Sequence, residues 1–191
     1  MVEIRFHGRG GQGTVVATIM LAKAFFRAGY QVQSFPVFGV ERRGAPVEAY
    51  IRLDREKILT RTNVYTPDHV AVQDRTLLQN IDVTNGLKPG GWILINSPVI
   101  PDDVSPFQNF RLAFVDASSI ALDHHLGSRT QPIVNTSMIG AFARILEMPP
   151  IDSIAEAITE ELASGAEANI EAARAAFDGV QMVGMISETG K

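Results

Sequence analysis

The chain has 191 residues, 46% of them hydrophobic and 20% charged, with a formal net charge of −4 from 17 basic and 21 acidic side chains. That length and balance suit one substantial α/β domain, argue against disorder, and offer no global positive field to draw the chain to nucleic acid or an anionic membrane. Cysteine is absent, which excludes a disulfide, a thiolate cluster ligand and a cysteine nucleophile contributed by this chain.

Met1-Val2-Glu3-Ile4-Arg5-Phe6 enters a strand without a basic-then-apolar leader, and no apolar run reaches membrane-spanning length. The expected setting is therefore cytoplasmic, with no membrane partner. A first strand over residues 3–7 places Ile4 and Phe6 on one face. It runs into Gly8-Arg9-Gly10-Gly11-Gln12-Gly13, four glycines in six residues, whose spacing matches the dinucleotide fingerprint. Glycine accepts positive φ and lets a ligand approach the backbone, and the helix that follows offers unpaired N–H groups to an anion. That helix is predicted over residues 13–28, with Val16, Met20, Leu21, Ala24 and Phe25 near a 3.6-residue period and Gly29 as its stop. A second strand over 31–37 completes a β-α-β unit.

A polar loop carries Glu41, Arg42 and Arg43 into a strand over 47–53. Strands at 70–73, 92–96 and 111–115 follow, with a short helix near 75–81 between the first two. Ser118 or Ser119 is expected to cap a helix through His125, and Asn135-Thr136-Ser137 to cap one over 134–146. Helices over 151–162 and 167–177 end the pattern, the last with Asn169, Glu171 and Arg174 outward. The expected fold is α/β, a single three-layer Rossmann-like domain spanning residues 1–191, with a mainly parallel sheet and a helical C-terminal tail.

An NAD site wants a carboxylate at the end of the second strand, about twenty residues past the glycines. Gln33-Ser34-Phe35-Pro36 stands there instead, which disfavours NAD. The arginine pair in the next loop suits phosphate oxygens. A ribose phosphate plus a pyrophosphate would satisfy both features, as in NADP or coenzyme A. His124-His125 is read as surface or interface and not as a metal pair, since helical neighbours point apart. No catalytic residue is assigned.

Four ordered motifs resemble the γ subunit of the 2-oxoacid:ferredoxin oxidoreductases. They are Gly8 to Gly13; Phe35-Pro36-Val37-Phe38-Gly39-Val40-Glu41-Arg42-Arg43-Gly44-Ala45-Pro46-Val47; Pro67-Asp68-His69-Val70-Ala71-Val72-Gln73-Asp74; and Asn135-Thr136-Ser137-Met138-Ile139-Gly140-Ala141. The Glu-Arg-Arg-Gly-Ala-Pro form looks most like the pyruvate branch. The resemblance implies a complex that decarboxylates a 2-oxoacid on thiamine diphosphate with magnesium, passes electrons through 4Fe–4S clusters to ferredoxin, and gives the acyl group to coenzyme A. Thiamine and clusters would belong to α, β and δ-type partner subunits, leaving the isolated chain inactive. Carried onto this sequence, Gly8, Arg9, Gly10, Gly11, Gln12 and Gly13 would face the coenzyme's phosphates, Arg42 and Arg43 would hold them, and Glu41 would orient an arginine or a ligand hydroxyl. A stand-alone NADP-dependent oxidoreductase is the alternative, weakened by the lack of a Ser-Tyr-Lys arrangement. A purely structural assembly subunit is another.

Overall fold

Seven strands form one sheet in the computed structural model, which describes residues 1–37 and 43–186. The chain runs β1 (Val2–Arg9), α1 (Thr14–Arg27), β2 (Gln31–Val37), β3 (Pro46–Asp54), β4 (His69–Val72), β5 (Trp92–Asn96) and β6 (Arg111–Val115). It continues through α2 (Ala117–Asp123), a small hairpin of β7 (Gly127–Ser128) and β8 (Gln131–Pro132), then α3 (Asn135–Leu146), α4 (Ile151–Glu161), α5 (Ala166–Gly179) and β9 (Gln181–Met185). The order in the sheet is β2-β3-β1-β4-β5-β6-β9.

Five of the seven strands share one direction, as a mainly parallel sheet requires; β3 and β9 oppose them. β1, α1 and β2 do form a parallel β-α-β unit. β2 is not the neighbour of β1, however, because β3 turns back and inserts between them, antiparallel to both. The C-terminal tail is helical as expected, but ends in β9, an antiparallel edge strand on β6. Met182, Val183 and Met185 are exposed on it. A five-residue strand containing Gly184, with no polar alternation, carries little sequence signal.

Side-chain alternation divides the sheet into two faces. Ile4, Phe6, Ile51, Leu53, Ala71 and Leu94 point to one face, where α1, α3, α4 and α5 cover them in the larger core. Phe6 meets Phe142 of α3 there, with ring centroids 5.4 Å apart. Val70, Val72, Ile93 and Ile95 point to the other, where Val83, Leu87 and Phe107 from loops and short 3-10 turns make the third layer. Both faces of β4 and β5 are buried, which accounts for their unbroken apolar runs. Gly29, with φ +85°, ends α1 as expected.

On the second face the sheet turns polar over β1 and β3. His7 is 1% exposed, and burial together with the Arg5 guanidinium pushes it down to about 4, against a smaller opposing pull from Glu48. Burial also lowers His69 to about 4, with Asp68 opposing. The His69 ring accepts the Trp92 N–H at Nδ1, 3.1 Å away, a bond that needs that nitrogen unprotonated. Both folded values lie below the unfolded value of about 6.5, so the unfolded chain binds more protons between those limits. Stability is then full above about pH 6.5 and falls as pH drops toward 4, by up to about 3 kcal/mol per histidine. Urea midpoints at pH 7 and pH 5 test this: the drop should shrink in His69→Gln, and an unchanged drop would refute it.

No helix among the described residues is long and apolar enough to cross a membrane.

Candidate functional site

β1, β4, β5 and β6 end at the same edge of the sheet. From β1 the chain leaves through α1 toward β2, whereas β4 leads the opposite way to β5 and β6. Such a switch point opens a crevice beyond the carboxyl ends of the strands. A cleft of about 1110 Å³ lies there, walled by the glycine turn after β1, Arg43 and Gly44 before β3, the segments following β4, β5 and β6, and the β7–β8 hairpin. That volume is on the scale of clefts that take a large small-molecule ligand.

The glycine turn is built by hydrogen bonds to distant segments. The Gly10 N–H donates to the Ala45 carbonyl at 2.8 Å, and the Gly44 N–H donates to the Gly10 carbonyl at 3.0 Å. The first turn is thereby fastened to the entry of β3, and the glycine turn and the Arg43 segment lie side by side. Gly11, at φ +94°, is exposed on the cleft with the Arg43 Cγ 3.8 Å from where its Cβ would stand. Gly13, at φ +72°, is the residue from which α1 starts. Gly8 is different: it is buried in β1, and a Cβ there would overlap the Thr14 hydroxyl oxygen and stand 2.8 Å from Gln73 Oε1. In this structure Gly8 permits close packing beneath the turn.

Arg9 and Gln12 act through Asp74, which follows β4. Arg9 Nε donates to Asp74 Oδ2 at 3.1 Å and Gln12 Nε2 donates to the same oxygen at 2.9 Å. The other carboxylate oxygen accepts from the Thr76 N–H at 2.9 Å and the Thr76 hydroxyl at 2.6 Å. Arg9 also donates to the Gly44 carbonyl and to Thr76, while Gln12 Oε1 accepts the Arg9 N–H. Burial works against the charge on Asp74, yet the bonds from Thr76 and Gln12 and the Arg9 guanidinium leave its carboxyl below the ordinary range. These two side chains line the cleft as struts that hold its shape.

Arg43 stands at the exposed rim, its guanidinium donating to Gln131 Oε1 of the hairpin at 2.6 Å. Glu41 and Arg42 lie outside the described residues. Sequence reading overlooked Gln73, Asp74, Asn96 and Gln131 as site residues. Gln73 and Asp74 follow β4 and Asn96 ends β5 at the ligand edge, a positional signal that would have flagged them.

Two capping expectations change. Asp116 caps α2, its Oδ1 accepting the Ser119 N–H at 3.0 Å, so Ser119 is capped rather than capping, while the Ser118 hydroxyl accepts from Asn96 Nδ2 at 3.1 Å. Asn135, Thr136 and Ser137 are the buried first turn of α3, which begins after Val134; Val134 makes no cap bond, but Asn135 Oδ1, from inside the turn, accepts the Thr136 N–H at 2.9 Å. Asn169 points inward, receiving the Thr136 hydroxyl at 3.0 Å. His124 faces Glu171, with Nδ1 to Oε2 at 3.4 Å. Among the described residues, no group of three or more His, Cys, Asp or Glu side chains is placed to hold a metal ion.

Residues 3–179 match the family model described as pyruvate ferredoxin/flavodoxin oxidoreductase. The chain is 48% identical over 179 residues to pyruvate synthase subunit PorC of Methanocaldococcus jannaschii, covering 93% of this chain and 96% of that one. It is 47% identical over 182 residues to the pyruvate/ketoisovalerate oxidoreductases common subunit gamma of Thermococcus litoralis, with the same coverages. Among solved structures, pyruvate oxidoreductase subunit PORC of Thermotoga maritima superposes with a TM-score of 0.81 at 34% identity, over 95% of this chain and 98% of that one. The γ-subunit resemblance carried by the four motifs is borne out, and the stand-alone NADP oxidoreductase finds no support. The chain belongs to the pyruvate ferredoxin/flavodoxin oxidoreductase family.

Proposed function

We propose that the chain, as one unit over residues 1–191, is the γ subunit of a cytoplasmic 2-oxoacid:ferredoxin oxidoreductase acting on pyruvate, and that its cleft holds the phosphates of coenzyme A. The carrying observation is the fastening of the glycine turn to the Arg43 segment, through Gly10 and Ala45 at 2.8 Å and Gly44 and Gly10 at 3.0 Å, at the ligand edge of the sheet. It joins a backbone cradle to a guanidinium, a donor set that fits phosphate esters. No carboxylate ends β2, where Gln33 to Pro36 stand, which favours coenzyme A over NAD.

In this reading coenzyme A contributes the thiol that accepts the acyl group. The residues of this chain bind and orient it: Arg42 and Arg43 take phosphate oxygens, Glu41 orients a guanidinium or ligand hydroxyl, and Arg9 and Gln12 hold the turn open. With no cysteine here, the thiolate ligands of iron–sulfur clusters come from other chains. Thiamine diphosphate and magnesium are assigned to those α, β and δ-type subunits, through which ferredoxin is reduced.

The test is anaerobic purification of the complex followed by oxoacid-dependent viologen reduction. Arg42→Ala combined with Arg43→Ala should raise the KM for coenzyme A about tenfold or more, the scale of lost charge-assisted hydrogen bonds, with the oxoacid KM near its original value. A chain that purifies alone, or a complex that turns over equally well without coenzyme A, would end this reading.

A further inference from the structure

We propose that the bond between Arg43 and Gln131 is a strap across the mouth of the cleft, in which a neutral amide holds the guanidinium until an anionic ligand displaces it. Gln131 is then a positioning residue for Arg43, and the β7–β8 hairpin is a wall that opens to a charged ligand. The identity of that ligand rests on the coenzyme reading above.

The two sides of the mouth are built differently. Arg43 precedes a segment fastened three times to the glycine turn: the Gly10 N–H donates to the Ala45 carbonyl, the Gly44 N–H to the Gly10 carbonyl, and Arg9 Nη1 to the Gly44 carbonyl at 3.0 Å. The Arg43 side chain lies over Gly11, its Cγ 3.8 Å from where a Cβ on that residue would stand. Opposite, the hairpin is a two-stranded sheet of its own that rests against α2. Residues 127–131 are exposed, and at the tip the Ser128 and Thr130 hydroxyls, 3.2 Å apart, bond to each other. Among the described residues, the Arg43–Gln131 bond at 2.6 Å is the only side-chain hydrogen bond that ties this hairpin to the rest of the chain. One wall is fixed, and the other, with little buried against it, is the one that yields.

Both partners of the strap line the cleft, so their bond spans it. It is the weaker of two bonds that this guanidinium can make. An amide oxygen carries no formal charge, whereas a phosphate oxygen accepts the same N–H with opposite charges on both partners, in a bond roughly twice as strong. An anion entering the mouth therefore takes the shared donor and frees the hairpin. A neutral molecule of the same size has nothing to exchange. While the strap is closed the cleft does not bind, so the apparent affinity is the intrinsic one multiplied by the open fraction. An exposed hydrogen bond, at the low end of the usual range, keeps it closed about two-thirds of the time.

The experiment uses the assembled complex and expects opposite signs from two substitutions at one position. Gln131→Met, which keeps the volume and removes the acceptor, should lower the KM for coenzyme A about threefold. Gln131→Glu, which ties Arg43 to a carboxylate, should raise it about threefold or more. The oxoacid KM is the reference for both. Arg43 and Gln131 are exposed, so these changes leave the core untouched. An amide that merely touched the ligand would lose affinity when removed, so a raised KM in Gln131→Met overturns the proposal. In an Arg43→Ala background Gln131→Met should have no effect; a gain that persists there would show that the amide does not act through Arg43. Hydrogen exchange without coenzyme reads the strap directly. Amides of residues 127–133 should exchange faster in Gln131→Met and in Arg43→Ala than in wild type, and equal rates overturn it. If Arg43→Ala raises the KM while Gln131→Met leaves it unchanged, the strap is wrong and the coenzyme reading stands. If exchange quickens in both variants but neither moves the KM for coenzyme A, the coenzyme reading falls and displacement by that ligand falls with it.

Discussion

Gly140→Ala is expected to destabilise the chain by about 1–3 kcal/mol, a large share of the roughly 5–15 kcal/mol that holds an ordinary domain together. A Cβ built on Gly140 would overlap the Ala173 carbonyl oxygen and stand 2.7 Å from its carbon and 2.8 Å from Ala173 Cα. These are backbone atoms of α5 and cannot swing aside, so α3 and α5 would have to part. Ala172, Ala173 and Ala176 are fully or almost fully buried on α5, which explains the alanine bias of that helix: small residues let the two axes approach closely. Helix propensity works the other way, favouring alanine by about 1 kcal/mol, and is outweighed by the overlap. Gly179, the last residue of α5, has nothing within 4 Å of where its Cβ would stand. Gly179→Ala should therefore be neutral or slightly stabilising. Denaturant midpoints of the two variants decide the matter, and a Gly140→Ala midpoint equal to that of Gly179→Ala would refute the packing account.

Asp74→Ala should loosen the glycine turn and weaken coenzyme use without touching the oxoacid. The carboxylate accepts from Arg9, Gln12 and Thr76, so its removal strands a part-buried guanidinium and an amide that brace the turn. Losing such charge-assisted bonds is worth about 1.5–3 kcal/mol, which predicts a fall of about tenfold or more in kcat/KM for coenzyme A. Asp74→Asn keeps one acceptor oxygen but sets an amide against Arg9, and should fall between the alanine variant and wild type. Because the folded carboxyl is lowered, its contribution is complete above the unfolded value of about 3.9 and is lost only as pH falls below that. The wild-type and Asp74→Asn stability curves should thus run parallel at neutral pH and converge in acid. Equal kinetics for the coenzyme in all three proteins would show that the latch does not govern the site.

Periodicity and glycine placement made much of this fold legible before any coordinates. Ile4 and Phe6 face the core as their alternation required, Met20, Leu21 and Phe25 pack inward from α1, and Gly29 stops it. Strands β4 and β5 were visible through the short apolar runs at residues 70–72 and 92–95, which a sheet covered on both sides demands. The glycine turn and the missing acid at the end of β2 gave, from local chemistry alone, the expectation of a phosphate ligand other than NAD, which the coenzyme KM measurements above test. The insertion of β3 between β1 and β2 was not legible, since a strand's sequence records that it is half or fully buried and not which neighbour buries it.

The remaining features were decided by contacts between residues far apart in the chain. Arg9 and Gln12 belong by position to a ligand turn, but their side chains are engaged by Asp74, 65 and 62 residues away. Asn135 looked like a cap, and while its Oδ1 accepts the Thr136 N–H its Nδ2 also meets Gly13; Asn169 looked like a surface residue and instead receives Thr136. Sequence pattern reports the repeat of one element, 3.6 or 2 residues, and the conformations its glycines permit. Which elements then lie against each other depends on how their faces pack, and that packing brought an arginine to a carboxylate, two helix ends to one point, and a lone glycine against a carbonyl.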